Sequence, residues 1–216
     1  MIRLIYQNFQ KFQKKLNYIG VFQNSEPHYV INGVLDLKKH KICDESIHIL
    51  TVPNAGGNSI NSEAYAMQIL FKLYNATTIQ TEMEIKYLWD NWKKCDFITR
   101  IGNQNVGVSV TRAISRFNPD DDDVYVSKLL YKKLSGLIIS RSGVCENSNF
   151  HKSILFIWSP NRIVSNLIHL TFNKTDYIFK ENIDLCIVES NLELLMQDFK
   201  HIQNFTATYV NYIYQS

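Results

Sequence analysis

Glycine and proline are scarce in this chain, eight and four among 216 residues, which argues against long linkers and low-complexity tails. Paired cysteines are missing as well. Cys43, Cys95, Cys145 and Cys186 stand far apart, with no C-x-x-C pair. That pattern points to reduced, mostly buried thiols in a reducing compartment and not to a disulfide framework. The six histidines are dispersed, so no zinc-type cluster can be written. The N-terminal stretch Met1-Ile2-Arg3-Leu4-Ile5-Tyr6 lacks the apolar core of a secretory signal. No run approaches the roughly 18 apolar residues that cross a bilayer. The expectation is a protein of the cytoplasm or nucleus with no membrane partner. Phosphate-cradling glycine motifs and the G-x-S-x-G elbow are also absent. Net charge is only +3, which is compatible with nucleic-acid binding without demanding it.

What remains is an ordinary globular balance, 45% hydrophobic and 20% charged, in a chain long enough to bury a core without staples. No internal repeat or domain boundary is visible. The reading is a single domain over 1–216, with 1–55 as an added N-terminal layer on a core spanning 59–190. Residues 1–17 carry apolar side chains at helical spacing, and 28–36 and 47–52 read as strands. Pro53 to Asn58 reads as a flexible loop. A helix is expected from Ser59–Ser62 to about Asn75, with Glu63 in its first turn, where the helix dipole favours a carboxylate.

The most informative stretch runs from Thr78 to Ala113. Ile79, Thr81, Met83, Ile85, Tyr87 and Trp89 alternate with Gln80, Glu82, Glu84, Lys86 and Leu88, which predicts a long first strand. A polar turn over Asp90–Lys94 leads to a second strand, Cys95 to Ile101, carrying Asp96 and Arg100. A third strand runs from Asn105 to Ala113. Its alternation places Ser109 and Thr111 opposite Val108 and Val110. Phe117-Asn118-Pro119 and the aspartates 120–123 mark a loop and the start of a helix over Val124–Leu134. Lys128, Lys132 and Lys133 are expected on the outside of that helix. Gly136 should end it before a short strand, Leu137–Ser140. Further expectations are a strand at Ser153–Trp158, a helix from Pro160 to about Leu170, a strand at Ile183–Val188 and a helix at Leu192–Phe199. Phe205–Tyr214 fits either strand or helix.

The order helix, strand, strand, strand, helix, strand, with Glu63 on the first helix and Asp96 on the second strand, resembles the PD-(D/E)xK nuclease superfamily. The resemblance covers about 59–140. It implies an α/β (α+β) restriction-endonuclease-like fold, in which a mixed central sheet with an antiparallel three-strand meander is flanked by helices. It implies Glu63 and Asp96 as ligands of Mg²⁺, hard oxygen donors for a metal that polarises a scissile phosphate. Ser109-Val110-Thr111 falls where the third-strand motif belongs. Ser109 and Thr111 are then the remaining catalytic-site residues, and the usual lysine is replaced by Thr111. Lys86 or Arg100 could supply a migrated cation, and Glu82 or Glu84 a migrated acid. Arg112 points to the other face of a regular strand unless a bulge after Gly107 re-aims it. Lys86, Arg100, Arg112 and Arg116 are the expected nucleic-acid contacts, with DNA or RNA as partner. Two functions follow from the same fold: a weak Mg²⁺-dependent phosphodiesterase, or a catalytically inactive scaffold that binds a protein partner.

Overall fold

The computed structural model describes residues 15–22, 29–36, 42–52, 59–113 and 122–190. It is a mixed α/β structure in which one sheet is flanked by helices. The elements are β1 (Lys15–Phe22), β2 (Tyr29–Asp36), α1 (Asp44–Thr51), α2 (Ile60–Tyr74), β3 (Thr77–Thr81), β4 (Phe97–Ile101), β5 (Gln104–Arg112), α3 (Asp122–Gly143), β6 (Lys152–Ser159), α4 (Arg162–Lys174), the short α5 (Tyr177–Lys180) and β7 (Ile183–Glu189). Seven strands lie in the order β2-β1-β7-β6-β5-β4-β3. β3, β4 and β5 pair antiparallel in sequence. β5, β6 and β7 are parallel. β1 continues the sheet antiparallel to β7, and β2 pairs with β1.

Strand alternation divides the core in two. Val106, Val108 and Val110 of β5 and Phe156 and Trp158 of β6 pack with Ala64, Tyr65, Met67 and Leu70 of α2 and with Ile49 of α1. The other face buries Ile98, Leu155, Ile157, Leu185 and Ile187 against Val126, Leu130, Leu134 and Leu137 of α3 and Ile168 and Phe172 of α4. Gly107 lies on this second face because Phe150 sits against it. A Cβ built there would fall inside the phenyl ring.

Several expectations are corrected. Residues 47–51 belong to helix α1 and not to a strand, and Val52 is the C-cap of that helix. Its apolar run hides a helical stripe of Ser46, Ile49 and Leu50, and Asp44 and Glu45 favour a helix start. Lys15 and Leu16 lie in β1, so the helix read over 1–17 does not extend to its end. The first meander strand stops at Thr81. There the Glu84 carboxylate takes the Thr81 N–H (2.8 Å) and hydroxyl (2.9 Å), and the Glu84 and Ile85 N–H groups turn back to the Thr81 carbonyl. A local side-chain acceptor has displaced the ladder. The alternation beyond it is used elsewhere. Tyr87 bridges to Val144, Leu88 N–H donates to the Gly143 carbonyl, and Cys145 N–H donates to Lys86.

α3 passes straight through Gly136, so Leu137–Ser140 is helix and not strand. α4 likewise runs on to Lys174, beyond Leu170. The pairings of β5 with β4 and β6 run without a break, so no bulge re-aims Arg112. The expected loop at 53–58, the segment holding Arg116 to Asp121, and the elements read at 192–199 and 205–214 lie outside the described residues. All four cysteines are free. Among the described residues no helix is long and apolar enough to cross a membrane.

Candidate functional site

β4 runs against the direction of β5, β6 and β7. Its beginning therefore lies at the carboxyl ends of the parallel strands, the end at which open α/β sheets commonly bind ligands. Asp96 stands immediately before β4, and its N–H donates to the Val108 carbonyl at 2.9 Å. Its carboxylate accepts from the Val110 N–H, two residues further along β5, and from the Ser109 hydroxyl. Glu82 follows the last residue of β3 at the same rim.

Glu63 arrives from the first turn of α2. The indole of Trp158 fixes that turn on the sheet by donating to the Ser62 carbonyl at 3.1 Å. The Glu63 side chain also receives a hydrogen bond from Ser59. On the opposite face, Lys133 leaves α3 and donates to the Val110 carbonyl at 3.4 Å.

These groups perturb one another. Burial, and then the Asp96 charge, raise the Glu63 carboxyl to about 7, opposed by the Ser59 hydrogen bond and by Lys133. Burial also raises Asp96, against the pull of Lys133, the Val110 N–H, Ser109 and Lys93. Glu82 is raised by burial and by Asp96, and lowered by Lys94 and Lys93. Lys133 is lowered by burial and held up by Asp96 and Glu63. The result is three acids within electrostatic reach of one another and a partly buried Lys133 ammonium that reaches Glu63 and Asp96, with Lys93 and Lys94 at the edge. Perturbed groups of this kind concentrate at functional sites.

Of the residues singled out by sequence, the structure brings together Glu63, Asp96 and Ser109. Thr111 is on the same strand and face as Ser109, half-buried. Glu82 joins the cluster. Glu84 does not, because its carboxylate is engaged by Thr81 and by His48 at 3.5 Å. Arg100 lies at the far end of β4, where it lines a cleft of about 520 Å³ with Asn103, Gln104 and Lys152. Lys86 is exposed near the end of α3, its N–H bonded to Ser148. Arg112 shares the parity of Val110, away from Ser109. Arg116 is outside the described residues.

The lysine that sequence reasoning missed is Lys133. Its spacing reads as the solvent face of α3, and only the packing of β5 beneath the helix reveals its direction. Among the described residues no group of three histidine, cysteine or acidic side chains is arranged to hold a metal ion.

Fold and site together define a mixed α/β protein with an acid–lysine cluster at the carboxyl rim of its parallel strands. No family model matches the chain. Over 127 residues it is 36% identical to the AAC-rich mRNA clone AAC4 protein of Dictyostelium discoideum, a match covering 56% of this chain and 18% of that protein. The chain thus spans less than a fifth of that relative. Among solved structures, SfsA of Pyrococcus furiosus in complex with Ca²⁺ aligns over 82% of this chain and 89% of that one, with 9% identity and a TM-score of 0.29. Likeness at that level does not establish a shared fold.

Proposed function

We propose that this is a nucleic-acid-associated protein with a nuclease-like core, in which the Glu63–Asp96–Lys133 cluster supports weak, Mg²⁺-dependent cleavage of phosphodiesters in DNA or RNA. The observation that carries the reading is the convergence at one strand-end rim of the Glu63 carboxylate from α2, the Asp96 carboxylate from just before β4 and the Lys133 cation from α3. A restriction-endonuclease-like core is part of the proposal. The antiparallel meander passing into a parallel β5–β6 pair supports it, with α2 before the meander and α3 in the crossover.

The donor set suits Mg²⁺, which typically takes one or two protein carboxylates and fills its remaining positions with water and substrate phosphate. Glu63 and Asp96 would hold it, and when bound it supplies Lewis-acid polarisation of the scissile phosphate. The chain's own groups do the rest. The Val110 N–H and Ser109 fix the Asp96 carboxylate in one orientation. Lys133, tethered to the Val110 carbonyl, presents positive charge toward the developing charge on phosphate, the duty left vacant by Thr111. Ser109 and Thr111 line the floor.

The test is digestion of single- and double-stranded DNA and RNA with Mg²⁺ or Mn²⁺. Slow cleavage by the wild type is expected, abolished in Asp96→Ala and reduced about 10²–10³-fold in Lys133→Met. Equal activity in all three proteins would place the activity elsewhere. The second reading is a catalytically inactive scaffold that binds a protein partner. It is favoured by Thr111 standing in place of the third-strand lysine, with Ser109, a weak ligand, beside it. A folded wild type that cleaves none of the substrates would select it.

A further inference from the structure

The segment between Glu82 and Asp96 is irregular, yet it lies along one stripe of α3. Trp92 donates its indole N–H to the Ile139 carbonyl at 2.6 Å. It occupies the space over Gly143, where a built Cβ would fall inside the indole. Lys93 comes next along the helix, its stem over Gly136, with Cε 3.2 Å from a Cβ built there. Beyond it lies Lys133, about 9 Å up the helix from Ile139 at the usual rise. Trp89 stacks on Trp92 with ring centroids 4.9 Å apart and planes 28° apart. Trp89 is nevertheless 59% exposed, and its neighbour Leu88 and the Ile139 side chain, on the residue that Trp92 grips, are exposed too. One indole is thus anchored to the helix and a second is held on it, facing water.

We propose that the Trp89–Trp92 pair is a stacking platform for an unpaired base, which delivers a single-stranded nucleic acid to the acid–lysine cluster. The inference rests on the functional reading above and names its substrate class. Charge complementarity selects the occupant. Along α3, Lys93 over Gly136 lies between Trp92 over Gly143 and Lys133 on the Val110 carbonyl, and Lys94 follows it in the chain, so cations line the way from the indoles to the acids. Asp90 is the one carboxylate in the Trp89–Lys94 turn. The lysines run from the indoles toward the acids as a track, which matches the repeating charge of a phosphate backbone. Within a duplex each base face is already stacked, so an exposed indole face is filled best by a single strand.

The experiment measures binding of fluorescein-labelled single-stranded and duplex DNA and RNA of equal length, in EDTA so that nothing is cleaved. The wild type should prefer the single strand, with tryptophan fluorescence quenched on binding. Trp89→Ala should weaken single-strand binding about tenfold or more, the loss of one base–aromatic stack. Trp89→Phe should recover most of it, and both variants should melt like the wild type because Trp89 is exposed. Lys93→Ala with Lys94→Ala should flatten the dependence of affinity on salt. Equal binding by wild type and Trp89→Ala, or duplex bound as tightly as single strand, would overturn the platform. Cleavage that is indifferent to Trp89 would sink the platform and leave the catalytic reading standing. Trp89-dependent binding with no cleavage in Mg²⁺ would do the reverse.

Discussion

Lys133 and Asp96 grip the same residue from its two ends: the ammonium donates to the Val110 carbonyl, and the carboxylate accepts from the Val110 N–H. α3 is thereby tied to the start of β4 through the backbone of β5. The pair is held near the distance at which their charges matter to each other without a direct hydrogen bond being required. Lys133 lowers both Asp96 and Glu63, which burial pushes the other way. Lys133→Met keeps the apolar stem and removes only the charge. Both carboxyls should then titrate at higher pH than in the wild type, which carboxyl ¹³C NMR of the two proteins will read. Unmoved titrations would mean the ammonium faces away from the acids in solution.

Glu63 gives a stability prediction with a definite sign. Its carboxyl is raised from 4.5 to about 7, so the folded protein keeps a proton that the unfolded chain releases. Stability from this group is complete below about pH 4.5 and is lost as pH rises through 7. The ceiling on the loss is about 3 kcal/mol at 1.36 kcal/mol per pH unit. Glu63→Gln removes the titration. Between pH 5 and 8 the Tm of the wild type should fall relative to the Gln variant. At pH 8, millimolar Mg²⁺ should raise the Tm of the wild type and leave Glu63→Gln nearly unchanged. A constant Tm difference across that range would mean that Glu63 is solvated.

Two glycines are set by what lies on them. A methyl group at Gly107 would enter the Phe150 ring, and one at Gly143 the Trp92 indole. Gly107→Ala and Gly143→Ala should each cost about 1–3 kcal/mol in urea unfolding, the usual penalty for overfilling a packed site. Gly136→Ala should cost much less, since only the flexible Lys93 stem must shift. Comparable losses at all three positions would argue that helix and strand effects dominate over these contacts.

The thiols should separate by burial. Cys95 and Cys186 are fully enclosed and burial pushes both up to about 12; Cys43 is raised in the same sense. Cys145 is the one partly exposed thiol of the four. In native protein a thiol reagent should titrate Cys145 first, and all four groups should react only after unfolding. Rapid reaction of Cys95 would show that the 82–96 segment opens readily.

The order of strands and helices around Asp96 was readable because alternation and breaker residues mark it directly. That order carries the resemblance to the PD-(D/E)xK nucleases, and the resemblance is what pairs Glu63 with Asp96. The end of β3 was not readable, because it depends on Glu84 folding back on Thr81, a choice that alternation does not encode. α1 is not legible because a short apolar run satisfies both periods; its helical form goes with Ile49 and Leu50 packed beside α2 residues and with the Cys43 N–H donating to the Gln68 side chain at 2.7 Å. Gly136 looked like a helix terminator because its partner, Lys93, arrives from a segment that sequence treats as a free loop. Lys133 was assigned to solvent for the same reason: a helix face is solvent only if nothing crosses it.

The fifteen positions from Glu82 to Asp96 contain no regular element, yet they are pinned along their length. Lys86 is tied to Ser148 and Cys145, Tyr87 to Ser140 at 2.8 Å, Leu88 to Gly143, and Trp92 to Ile139. The entropy of ordering this segment is therefore surrendered when the chain folds and not when a ligand arrives. A molecule meeting the exposed Trp89 indole finds a rigid surface and a lock-like encounter. Association should accordingly proceed in a single kinetic step, with a heat-capacity change no larger than the area in direct contact requires.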